Sequence, residues 1–184
     1  MNFLKKMPIA SKIFLIPGIA AISFVIYLLI TVYTALNNGA TLEKVQQVQF
    51  PALQQSASTL VDMQKVRDTL SSAVTTGDQD TLIMAQNLAK EVKAGLNQIE
   101  SISPEFRTEI AKISVGFDDY FKVAFDVSQS MVDGTADFSR LGELSSQMNS
   151  SYDDAIAAMS TFRDAQQAAF EEAFENTDRA NTSL

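Results

Sequence analysis

A largely apolar run extends from Ile13 to Leu36, IFLIPGIAAISFVIYLLITVYTAL, with no charge inside and none afterwards before Glu43. As a helix at about 1.5 Å per residue, this run spans roughly 36 Å. A hydrocarbon core of about 30 Å would be crossed with some tilt. Inside such a core every backbone N–H and C=O must pair within the segment, which a helix does. Pro17 lies in the first turns, where a missing N–H costs least, and Tyr33 suits the far interface. A soluble core helix rarely stays apolar on every face for this length. A signal-peptide core is shorter, about 7–15 residues, and no small-x-small cleavage site follows Leu36. The pattern predicts a retained transmembrane helix over 13–36. Lys5, Lys6 and Lys12 precede it, and only Lys44 is basic in the twenty residues after it. The positive-inside bias then places residues 1–12 in the cytoplasm and 37–184 outside, the periplasm if the cell is Gram-negative. The expected location is the inner (cytoplasmic) membrane.

Beyond the anchor the rhythm changes to stripes with steps of three and four. Asn37-Asn38-Gly39, Thr76-Gly77-Asp78, Ser103-Pro104 and Asp133-Gly134 interrupt it. No run has period two, so no sheet is predicted. Helices are expected over about 41–76, 78–102, 104–132 and 139–184. In the first, the stripe is thinnest from Gln54 to Ser58, and Pro51 should kink the helix or break it briefly. Asp78 or Asp80 can cap the second. The third carries the clearest signal. Ser103 is a natural N-cap, Pro104 fits the first helical position and Glu105 suits the positive dipole end. Phe106, Ile110, Ile113, Phe117, Tyr120, Ala124, Val127 and Met131 then form a bundle seam. Gly134 can take positive φ and end it.

Short connections and apolar stripes predict an all-α, antiparallel, up-down-up-down four-helix bundle. The first and fourth helices are the long ones, so the second turn should fall near the height of Pro51. Below it these two helices should run on as a stalk. The sequence stops at Asn181-Thr182-Ser183-Leu184 with the fourth helix heading back toward the membrane. The expectation is a break in front of a second membrane helix.

Charge and composition narrow the chemistry. All 22 acids and 11 of the 14 basic residues lie beyond residue 42, for a net charge there near −11. So acidic a surface argues against nucleic acid and against docking on anionic lipid. The absence of Cys and His removes disulfides, the favoured zinc and copper ligands, and the usual nucleophile–base pairs. No cofactor, metal or enzymatic activity is expected.

The layout resembles the amino-terminal part of a bacterial methyl-accepting chemotaxis protein. The resemblance rests on the basic amino end, one spanning helix and an outer four-helix module. Local likenesses are Phe50-Pro51-Ala52-Leu53, Thr75-Thr76-Gly77-Asp78-Gln79-Asp80 and Ser103-Pro104-Glu105. It implies a homodimeric, signal-sensing receptor that binds a small molecule or a periplasmic binding protein and passes a small helix displacement across the membrane. The same module suits a histidine kinase or a diguanylate cyclase. A membrane-anchored helical interaction protein without a ligand is the reading from another class.

The resemblance also points to Arg67, on the first outer helix beside Val66 and Leu70, as a grip for a ligand carboxylate. Arginine suits that bidentate contact. The plainer reading is an ion pair with Asp68 or Asp154. Arg163 is expected to pair with an acid, and Tyr120 and Tyr152 to be core aromatics with partnered hydroxyls. Asp118-Asp119 and Asp153-Asp154 point apart on a helix and read as solvated edges. Lys90 and Lys93 are expected to pair weakly with Glu91 or Glu100.

Overall fold

The computed structural model describes residues 20–33 and 43–182, with side chains through residue 175. It divides into two compact units, Met1–Glu43 and Lys44–Leu184. Among the described residues every regular element is helical and there is no strand.

In the first unit, residues 20–33 form helix α1. Its large apolar side chains are exposed on all sides, from Leu28 at 44% to Tyr33 at 68%. Thr31 satisfies its hydroxyl by donating to the Tyr27 carbonyl at 2.9 Å, within the helix itself. Among the described residues no helix is long and apolar enough to cross a membrane. The predicted span over 13–36 is helical where it is described; its two ends lie outside those residues.

The second unit opens with a widened turn, Val45–Gln49, in which the Phe50 N–H reaches back five residues to the Val45 carbonyl. Helix α2, Phe50–Thr76, follows directly. The predicted helix over 41–76 is therefore not uniform, and Pro51 marks the change. Proline cannot donate to the carbonyl four residues back and clashes with it, so the ladder shifts register just before it.

α2 ends at Gly77, whose φ of +66° is the left-handed conformation that glycine takes without strain. The Asp78 carboxylate then accepts the Asp80 N–H at 3.0 Å, capping helix α3, Gln79–Ile102. Ser103 is extended, and its hydroxyl accepts the Glu105 N–H at 3.4 Å. The third predicted helix starts there with a tight single turn, Pro104–Phe106, before helix α4, Arg107–Val132. Gly134, at φ +68°, turns the chain out of α4. Turns over 133–140 lead into helix α5, Leu141–Thr182.

α2 packs on α3, α4 and α5, and α3–α4 and α4–α5 also touch. One core draws on all four helices, with Met63, Leu96, Phe117 and Phe162 at its fully buried centre. Burying each such side chain contributes about 1.5–3 kcal/mol. Phe106, from the tight turn, meets Phe162 edge-on at 5.1 Å and closes the end of the core. On α4 the seam is buried from Phe106 through Ala124, as predicted, but Met131 is 37% exposed.

The thin stretch of α2 has a structural counterpart. Ser56 and Thr59 are buried in and beside it, and Thr59 and Gln55 lie against a glycine, Gly95, of α3. A methyl added at Gly95 would fall within contact distance of the Thr59 hydroxyl, so the two backbones approach closely.

Candidate functional site

Two turns of α2 and three of α4 fix the site. Arg67, Leu70 and Val74 follow one another along α2, and Tyr120, Ala124, Val127 and Met131 along α4, at helical spacing. Met148 and Asn149 of α5 close the third side. These residues bound a cavity of about 290 Å³.

The Arg67 guanidinium lies 4.5 Å from the centre of the Tyr152 ring. Tyr152 in turn meets Tyr120 at 4.9 Å between centroids. The cation thus rests on an aromatic pair, which attracts it through the ring quadrupole. Among the described residues no carboxylate lies within 4.0 Å of the guanidinium, so the pair expected with Asp68 or Asp154 does not form. Both acids are exposed and lose little by remaining in water.

Tyr120 is 2% exposed, and burial pushes its phenol well above the ordinary tyrosine range, with Tyr152 adding to the effect. It therefore remains a neutral donor at physiological pH. Burial also raises Tyr152, while a hydrogen bond from Arg67 and the charge on that residue work the other way. The Tyr120 hydroxyl makes no hydrogen bond to any described residue, against the expectation that it would be partnered. Ser128 repeats this: it is 6% exposed, it lines the same cavity, and its hydroxyl has no partner among the described residues. Arg67, Tyr120 and Ser128 all offer donors to this one space, where an acceptor-rich small molecule can satisfy them.

The remaining predicted residues lie elsewhere. Arg163 pairs with Asp164, Nη2 to Oδ1 at 2.6 Å, as expected of an ion pair. Lys93 reaches Asp118 on α4 at 2.7 Å rather than Glu91 or Glu100. Lys90 bonds Asn87 at 3.3 Å, and Glu100 holds Arg107 at 3.0 Å instead. In each case a partner one turn away or across a helix seam is nearer than the sequence neighbour. Asp119, Asp153 and Asp154 are exposed. Sequence reasoning missed Ser128 and Asn149, and read Met131 only as part of the bundle seam. A serine eight residues beyond Tyr120 on a seam of apolar residues was the available signal.

Comparison of the chain with protein-family models, with curated proteins and with solved structures finds no match.

Proposed function

We propose that this chain is the signal-sensing input part of a transmembrane receptor, of the kind found in methyl-accepting chemotaxis proteins, and that a small anionic ligand binds at Arg67. The observation that carries the reading is the cavity between α2, α4 and α5. It joins a guanidinium that rests on the Tyr152 ring, with no carboxylate among the described residues within 4.0 Å, to two hydroxyls that make no hydrogen bond to any described residue.

The arrangement we favour is an antiparallel, up-down-up-down four-helix bundle. Connections of two residues at 77–78 and one at Ser103 support it, as does the core shared by all four helices. So does the register. Gly95 faces Thr59, so Ser103, eight residues later, falls opposite Pro51, eight residues earlier. Below that level Val45 and Ala173 are both buried, and Phe50 meets Phe170 at 6.1 Å. The first and last helices thus continue together as a stalk.

The uncharged, largely apolar run from Ile13 to Leu36 supports an anchor in the inner membrane with residues 1–12 in the cytoplasm. The exposed apolar surface of α1 agrees with it. Both stalk helices, α2 and α5, line the ligand cavity. A ligand that prefers one offset of α2 against α5 would shift that equilibrium, and the stalk would carry the shift inward. In this reading the receptor is a homodimer, and the output lies in a cytoplasmic domain.

Thermal unfolding of the full chain in lipid nanodiscs, screened with amino acids, organic acids and amines, tests the proposal. A ligand at one hundred times its Kd adds about 2.7 kcal/mol. The expected hits are anions whose stabilisation disappears in Arg67→Gln. Hits that persist unchanged in that variant, or no hit at all, refute binding at Arg67.

A further inference from the structure

The shape of the cavity says more about its ligand than its charge does. On α2 its wall runs from Arg67 to Thr75, and on α4 from Tyr120 to Met131. In an up-down-up-down chain these two helices run the same way, so both walls lengthen in one direction. The eight residues from Arg67 to Thr75 cover about 12 Å at 1.5 Å each, roughly the reach of an extended chain of eight to ten carbons. The cavity is therefore a slot.

Its chemistry is graded along that length. The guanidinium and Tyr120 stand at one end. Leu70, Val74, Ala124, Val127, Met131 and Met148 supply the apolar part of the walls beyond them, and Ser71, Thr75 and Asn149 stand among them. Methionine is unbranched and adapts to a flexible apolar occupant. Met131 also belongs to the core stripe of α4 yet is 37% exposed, an apolar side chain left uncovered at the slot. Near the far end, eight residues along α4 from Tyr120, sits Ser128, a residue 6% exposed whose hydroxyl makes no hydrogen bond to any described residue.

We infer that the slot takes a linear medium-chain carboxylate, its head on Arg67, its chain along the apolar walls, and a neutral oxygen toward its far end on Ser128. This rests on the reading of Arg67 as the anion grip. A short polar anion would satisfy the guanidinium and leave the apolar walls and Ser128 unmatched. A long neutral molecule would leave the cation unmatched.

Isothermal titration of the full chain in lipid nanodiscs, with empty nanodiscs as blank, tests the inference. The probes are unbranched carboxylates from acetate to dodecanoate, 8-hydroxyoctanoate, 1-octanol and L-aspartate. Each methylene buried is worth about 0.8 kcal/mol, close to a fourfold gain in affinity. Affinity should rise about fourfold per carbon and stop rising near eight to ten carbons. Arg67→Gln, a substitution at an exposed position, should abolish binding, and 1-octanol should not compete. 8-Hydroxyoctanoate should bind up to about tenfold tighter than octanoate, and Ser128→Ala should erase that preference. No dependence on length, or a rise with no plateau in both wild type and Arg67→Gln, overturns the slot. A hydroxyl preference that is absent, or survives in Ser128→Ala, overturns the placement of the oxygen. Binding of L-aspartate that requires Arg67, with octanoate inert, sinks the medium-chain inference while leaving the sensor reading intact. If no carboxylate binds through Arg67, both fall.

Discussion

Replacing Gly95 with alanine puts the closest helix contact to a quantitative test. On propensity alone, Gly→Ala inside a helix gains about 0.8–1 kcal/mol. The packing opposes this. The new Cβ would collide with the Thr59 hydroxyl and stand 3.1 Å from the Gln55 amide nitrogen and 3.5 Å from the Thr59 Cβ. Thr59 is 1% exposed and branched at Cβ, so it has few rotamers to retreat to. Overpacking of this sort costs about 1–3 kcal/mol. The net expectation is a loss of about 1 kcal/mol, or a Tm lower by about 2–4 °C for a chain of this size.

The Thr59 hydroxyl is also a buried group without a hydrogen-bond partner. Thr59→Ala should therefore cost less than its buried volume suggests, and it opens room for the new methyl. The double variant Thr59→Ala/Gly95→Ala should then be at least 1 kcal/mol more stable than the two single effects add up to. Thermal unfolding of the four proteins in lipid nanodiscs, followed by far-UV circular dichroism, gives the cycle. A Gly95→Ala protein that melts higher than wild type, with no coupling to Thr59, would refute the close approach.

Other expectations follow from single features. Gly77→Ala places a side chain at φ +66° and should lower stability by about 1 kcal/mol, read from the same melts; no change would mean the turn relaxes out of the left-handed region. Tyr120 and Tyr152 have folded-state pKa values raised by burial, so their contribution is complete below the ordinary value of about 10. Above it the unfolded chain releases these protons first, and stability should fall as pH rises. Melts from about pH 9 to 12 should show a smaller fall for Tyr120→Phe than for wild type, and an equal fall would contradict its burial. Lys93→Ala removes an ion pair between side chains 48% and 46% exposed. It should change stability by less than about 1 kcal/mol, and a larger loss would mean the pair is shielded in a way its exposure does not convey.

The stripes and caps of this chain are local matters, and they were readable. Ile110, Ile113, Phe117 and Tyr120 are buried at the spacing that announced them, and Ser103, Asp78 and Gly134 stand at the helix ends their chemistry suits. Pro51 announced a disturbance, but not that it would take the form of a widened turn over Val45–Gln49, because several backbone adjustments relieve the same clash. Partnerships between helices were not readable. The sparse stripe at Gln54–Ser58 looked like weak packing. It borders a seam in which Gln55 and Thr59 face Gly95, a match that exists only once α2 and α3 are in register. Arg67 was a candidate by its helix and its place beside Val66 and Leu70, while the convergence of Arg67, Tyr120 and Tyr152 joins three helices far apart in sequence. Ser128 hid among apolar neighbours because a buried hydroxyl has no signature of its own.

The orientation of the chain can be measured directly because it has no cysteine of its own. Single cysteines would be placed at the exposed Ser145 and at Lys6, and intact cells treated with a membrane-impermeant maleimide. The account predicts labelling at position 145 without permeabilisation, and at position 6 only after it. Labelling in the reverse pattern, or at both positions only in broken cells, would contradict an outward-facing sensor held by an amino-terminal anchor.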